Sequence, residues 1–131
     1  PICLGNVHAI SHTLGGIFGI AHGIANAVLL PYVMEFNLPA CPDKFARIAA
    51  ALGADIAGLS AEQAAAKAVA AVRAMNDAMN IPRGIRALGV TLDKLEKMTE
   101  DSMRSGNVLV NPRPTTAEDI RGIILRAYEN G

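Results

Sequence analysis

The three histidines of this chain, His8, His12 and His22, all fall within its first 22 residues. Imidazole is the commonest side-chain metal ligand and the only side chain whose unperturbed proton equilibrium lies near neutrality. His8 and His12 stand four apart, so a helix carries both on one face. That spacing lets two imidazoles share one metal ion, as in H-E-x-x-H motifs. Here Ala9, Ile10 and Ser11 intervene, and with no glutamate among them the zinc-protease reading lacks its general base. His22 follows a stretch containing Gly15, Gly16 and Gly19. Those glycines permit a tight turn that returns it to the first helix.

The surroundings of the cluster are nearly bare of charge. Within residues 1–40 the only formally charged side chain is Glu35. Histidines gathered in an uncharged, aliphatic, glycine-rich stretch are expected to form a buried polar site. Three neutral imidazoles leave a cation without compensating negative charge, and catalytic metal sites commonly include a carboxylate. Glu35 lies more than three helical turns beyond His22, so the chain reads as half of a metal site. The same residues also allow a blander reading, histidines satisfied within a helical core. A further alternative is a non-enzymatic helical module that holds a metal through all three histidines, or a protein partner through its apolar face. A metal-dependent hydrolase is disfavoured because no carboxylate stands near the cluster.

The elements that must position these residues read as helices almost throughout. A first helix ends at Gly15-Gly16, where two glycines favour a break. A glycine-punctuated loop runs through Gly19, and a second helix covers about 21–36, kinked or ended by Pro31. A short amphipathic helix over 43–52 is closed by Gly53. Ser60-Ala-Glu-Gln63 is a capping box opening an alanine-dense helix to about Met79, stopped by Ile81-Pro82. A single turn follows at 85–88. Thr91 is expected to cap a helix through about Met103, and Thr115-Thr-Ala-Glu118 to form a second capping box for a last helix through about Tyr128. The fold class is all-α, a bundle of six or seven helices.

With 131 residues, zero formal net charge and 51% hydrophobic residues, the chain has the size of one ordinary domain. The core is built from Ala, Ile, Leu, Val and Met, and the five methionines read as core filler. There is no basic run interleaved with aromatic residues, which argues against nucleic-acid binding. The longest apolar run, 27–34, is far short of the ~20 residues of a membrane span. No signal-peptide pattern is visible, so a cytoplasmic location and no membrane partner are expected. Cys3 and Cys41 read as reduced core thiols. The nearly uncharged first 40 residues need a cover, from the rest of the chain, a partner, or self-association through exposed apolar surface.

The run His8-Ala-Ile-Ser-His12-Thr-Leu-Gly15-Gly16, followed by Ala21-His22-Gly23-Ile-Ala-Asn26-Ala27-Val-Leu-Leu-Pro31, resembles the signature of iron-containing (group III) alcohol dehydrogenases. Downstream, Gly84-Ile-Arg-Ala-Leu-Gly89-Val, Asn111-Pro112-Arg113 and Thr115-Thr-Ala-Glu118-Asp119-Ile120 are similar to that family's C-terminal region. The resemblance spans essentially the whole chain. It implies one helical domain over 1–131, of the dehydroquinate synthase-like fold, whose partner is an N-terminal nucleotide-binding domain absent from this sequence.

What the resemblance implies for chemistry is specific. His8 and His22 match metal ligands, with an aspartate and a further histidine supplied from upstream. His12 matches the histidine that faces nicotinamide and substrate, where it relays protons. The loop before Asn111 is implied to approach the substrate end. Asn107 stands there where many relatives carry cysteine, and Arg113 is a second substrate-proximal candidate, set against a structural role bonding backbone carbonyls. The implied cofactors are a divalent metal, Fe2+ first and Zn2+ as the alternative, and NAD(P). The implied activity is the interconversion of small alcohols with aldehydes or ketones, with this chain expected to be inactive alone. Asn26 is expected to be a satisfied structural amide, and Arg121 and Arg126 a solvated helix face.

Overall fold

A computed structural model describes residues 5–130. Six α-helices make up the fold: α1 (Gly5–Phe18), α2 (His22–Asn37), α3 (Pro42–Ala51), α4 (Ala61–Ala78), α5 (Leu95–Met103) and α6 (Ala117–Glu129). Short 3-10 turns at Leu38–Ala40, Ile85–Leu88, Leu92–Lys94 and Gly106–Val110 join them, and no strand occurs among the described residues. The expected all-α bundle is what forms.

One core lies between α1, α2, α5 and α6, built on Ile10, Leu14, Leu29, Tyr32, Val33, Met98, Ile120, Ile123 and Ile124. A smaller core, with Phe45, Ala49, Ala65, Ala68 and Val69 against Met34, joins the α3–α4 hairpin to α2. Alanine at three of those six positions lets the helix axes approach closely.

The first connection differs from its sequence reading. Gly15 and Gly16 lie inside α1, which continues through Phe18. The helix stops at Gly19, whose φ of +69° is left-handed, and whose N–H donates to the Gly15 carbonyl at 3.0 Å. A glycine pair costs helix propensity, but a positive φ at a helix C-terminus is what actually ends a helix. The turn to His22 is therefore only three residues long.

Pro31 sits inside α2 without ending it. Proline has no N–H, so the carbonyl four residues earlier loses its helical donor. That carbonyl is Ala27's, and the Asn76 side chain of α4 donates to it at 2.9 Å. A tertiary amide thus replaces the missing backbone donor, and α2 runs on to Asn37.

Two of the helix starts differ in detail. The Ser60 capping box is as read, with Gln63 N–H donating to Ser60 Oγ at 3.2 Å and Ser60 N–H to Gln63 Oε1 at 3.1 Å. The second box is one residue later: Thr116 Oγ1 accepts from Asp119 N–H at 3.2 Å, and Asp119 Oδ2 from Thr116 N–H at 2.9 Å. Thr115 is occupied elsewhere, donating to the Arg113 carbonyl at 2.8 Å and accepting from Asn6 Nδ2 at 3.0 Å. Thr91 caps nothing; its hydroxyl donates to the Asp93 carboxylate, and a 3-10 turn precedes α5. Of the cysteines, Cys41 is half-buried, and Cys3 lies outside the described residues.

A three-histidine face and its groove

Helix α1 buries Val7, Ala9, Ile10, Ser11, Thr13 and Leu14 but exposes His8, His12 and Gly16. Positions 8, 12 and 16 are each four apart and form one stripe. Its buried residues face the core, the 106–116 loop through Asn6, or α5, where Ser102 Oγ donates to Thr13 Oγ1 at 3.2 Å. His22 opens α2 and is exposed as well. The expected burial of the histidines is therefore corrected: the apolar residues of the segment serve the opposite faces of α1 and α2.

The short turn brings the three rings together. The His8 and His22 centroids are 5.7 Å apart, with planes 17° from parallel. His12 and His22 are 5.0 Å apart at 38°. Two imidazoles sharing one tetrahedral ion have ring centres roughly 5 Å apart, given metal–nitrogen bonds of about 2.0–2.1 Å. The donor set thus fits a borderline divalent cation such as Fe2+ or Zn2+ in nitrogen chemistry and in spacing. It is not complete: among the described residues no group of three or more His, Cys, Asp or Glu side chains makes a metal site. Glu35 does not contribute, since it pairs with Arg73 at the far end of α2, about 20 Å along the axis from His22 at 1.5 Å per residue.

Beneath the rings sits Ser11, fully buried between His8 and His12 in α1. Its Oγ lies 3.3 Å from the His8 backbone oxygen and 3.3 Å from His22 Nδ1. One turn further along α2, Asn26 has a buried Oδ1 with no hydrogen-bond partner. This corrects the expectation of a fully satisfied amide.

A groove of about 550 Å³ runs beside the cluster between α1 and α5. Its walls include Ala9, His12 and Gly16 on one side and Lys94, Lys97 and Ser105 on the other. His8 and His22 are not among its lining residues, so His12 stands between ring cluster and groove. Gly16, one turn along the stripe, puts no side chain over that edge. Lys97 lies 3.4 Å from Asp101, an exposed pair worth little in stability.

Asn107 and Arg113 do not line this groove. Asn107 is one link behind it, its backbone and side-chain N–H groups both donating to Ser105 Oγ, at 3.2 and 3.1 Å. Arg113 is held internally: its Nη1 donates to the Phe36 carbonyl at 2.7 Å, and its guanidinium lies 4.2 Å from the Phe36 ring centre. Asn111 completes the anchor. It exchanges amide hydrogen bonds with Asn37, at 2.7 and 3.2 Å, and accepts from Asn6 N–H at 3.3 Å. The 106–116 loop is thereby locked to the start of α1 and the end of α2. Ser11, Ser105, Lys94 and Lys97 escaped the sequence reading, because a lone serine or lysine carries no motif until its neighbours are known.

The Fe-containing alcohol dehydrogenase C-terminal family model matches residues 2–128. The chain belongs to this family. It is 44% identical over 125 residues to the 1,3-propanediol dehydrogenase of Klebsiella pneumoniae, covering 95% of this chain and 32% of that protein. It is 40% identical over 124 residues to the NAD-dependent methanol dehydrogenase of Bacillus methanolicus, again 95% of this chain and 32% of that protein. A crystal structure of 1,3-propanediol oxidoreductase superposes with a TM-score of 0.91 at 43% identity, over 93% of this chain and 32% of that one. The chain thus spans about a third of the length of these relatives and corresponds to the family's C-terminal, helical part. No helix among the described residues is long and apolar enough to cross a membrane.

Proposed function

We propose that this chain is the helical, metal-facing domain of an NAD(P)-dependent, divalent-metal alcohol dehydrogenase that interconverts small alcohols with aldehydes or ketones. The observation that carries the reading is the exposed His8–His12–Gly16 stripe meeting His22. A solvent-facing stripe on an isolated domain is ordinarily charged. This one consists of imidazoles and a bare glycine, which suits a face that closes against a ligand and a second domain.

In this reading His8 and His22 would hold the metal, and a carboxylate from the nucleotide-binding domain would balance its charge. When bound, a divalent ion supplies Lewis acidity toward an alcohol oxygen, and the nicotinamide supplies the hydride chemistry. His12 has the remaining task. At the edge of the groove, with a ring nitrogen free of the metal, it takes the alcohol proton outward during oxidation and returns it during reduction. Gly16 leaves room beside it for a flat ring or a short substrate. Asn107 and Arg113 belong to the loop that closes the substrate end, with Arg113 acting through the loop by its hold on Phe36. NAD against NADP, and iron against zinc, are decided outside this face. The chain by itself turns over no alcohol.

The test is metal analysis and steady-state kinetics on the enzyme carrying its nucleotide domain. His8→Ala and His22→Ala are expected to lose bound metal. His12→Ala is expected to keep it and to lose ~10²–10⁴-fold in kcat, the range of a general acid–base group. A second reading, a non-enzymatic module binding metal through all three imidazoles, draws on the 5.0 Å approach of His12 to His22. Metal lost equally from all three variants would favour it and overturn the first.

A further inference from the structure

We propose that the Ser11 hydroxyl holds His22 in the tautomer that leaves Nε2 unprotonated and able to bind a cation. The inference rests on the ligand role proposed for His22, but its core is a statement about one proton.

Ser11 Oγ has two neighbours at the same distance, the His8 backbone oxygen at 3.3 Å and His22 Nδ1 at 3.3 Å. The hydroxyl has a single hydrogen, and a carbonyl oxygen only accepts. Both contacts are hydrogen bonds at once in one arrangement alone. The hydroxyl hydrogen points to the His8 carbonyl, and Nδ1–H of His22 donates to Oγ. A neutral imidazole protonated on Nδ1 has its lone pair on Nε2, the nitrogen a metal requires. In the opposite tautomer the hydroxyl must turn to Nδ1, and the His8 contact is left without a hydrogen.

Burial sharpens the preference. Ser11 is fully buried, so water does not replace the second hydrogen bond that the opposite tautomer gives up, as it would on a surface. No other hydrogen bond to the His22 ring occurs among the described residues. One hydroxyl therefore ties the backbone of His8 to the ring of His22, fixing the spacing between the two candidate ligands as well as the proton. Carbonyls and carboxylates do this for many metal-bound histidines, and losing such a partner weakens metal binding.

The experiment compares the wild-type protein with Ser11→Ala by ¹⁵N NMR of the histidine rings, metal-free, at a pH where they are neutral. Alanine is a better helix former than serine, so the variant folds, and circular dichroism checks it. In the wild type, His22 is expected to show a pyrrole-type Nδ1 and a pyridine-type Nε2. In Ser11→Ala that pattern is expected to move toward the Nε2–H form, with Zn2+ affinity falling about ten-fold. A wild-type His22 already protonated on Nε2, or a pattern unchanged in the variant, overturns the proposal. Failure of the metal reading shows separately: His22→Ala retaining its metal would remove the ligand role and leave the tautomer result standing.

Discussion

Replacing Asn76 by alanine tests how α2 survives its internal proline. Asn76 Nδ2 donates to the Ala27 carbonyl at 2.9 Å, and Pro31 is the residue whose N–H would otherwise fill that position. Leaving a buried carbonyl unsatisfied costs ~1–3 kcal/mol. Ala27 is half-buried, so the lower half of that range applies, about 1.5 kcal/mol with as its basis. Alanine at position 76, inside α4, returns roughly 0.5 kcal/mol of helix propensity. The net loss is then about 1 kcal/mol, a fall of ~3–5 °C in Tm for a domain of this size. The deciding measurement is a double-mutant cycle in urea. Pro31→Ala restores an N–H at position 31, and Asn76→Ala in that background should cost less by about 1 kcal/mol. If Asn76→Ala costs the same with and without Pro31, the amide does not stand in for the missing donor and the reasoning fails.

Two further substitutions probe what holds the site's frame. A Cβ on Gly5 would lie 2.1 Å from the Asn107 carbonyl oxygen, a backbone clash three residues before His8. Gly5→Ala should therefore lower stability by ~1–3 kcal/mol or more, read as a lower urea midpoint, and an unchanged midpoint would show that the 106–110 turn yields freely. Arg113→Ala removes a charge-assisted bond to the Phe36 carbonyl and the stacking on its ring. It should cost about 1–2 kcal/mol in thermal unfolding, with Arg113→Lys recovering only part because lysine lacks the planar fork. Equal stability of all three proteins would return Arg113 to a role in direct ligand contact.

The elements were legible where local chemistry decides them. Ser60 and Gln63 cap each other within four residues, and nothing distant competes for either side chain. Thr115 shows the opposite case. Its sequence context fits a capping box, but Asn6 and the Arg113 carbonyl claim its hydroxyl, and the box moves to Thr116 and Asp119. Gly15-Gly16 failed as a stop for a related reason. A helix whose other face buries Ile10 and Leu14 completely gains more from packing than two glycines remove. Likewise Pro31 reads as a breaker until Asn76, 45 residues on, supplies the missing donor.

The histidine face was half legible, and the missing half has a physical cause. The spacing of His8 and His12, and the short path back to His22, are properties of the local chain and are readable from it. Exposure is not local. Residues 1–40 have the composition of a buried segment, and most of α1 and α2 is indeed buried, so the uncharged stripe reads as interior too. It is instead the part of an interior-like surface that this chain leaves open. Imidazoles without a carboxylate and a groove edged by His12 lie on this open face. Each lacks something that a second, polar surface would supply. Under the function proposed above, the helical domain would fix imidazole geometry on rigid elements, and charge balance and hydride chemistry would come from the nucleotide-binding domain. What this chain would contribute to the proposed reaction is therefore positional. The His22 ring centre lies 5.7 Å from that of His8 and 5.0 Å from that of His12, on two helices joined by three residues.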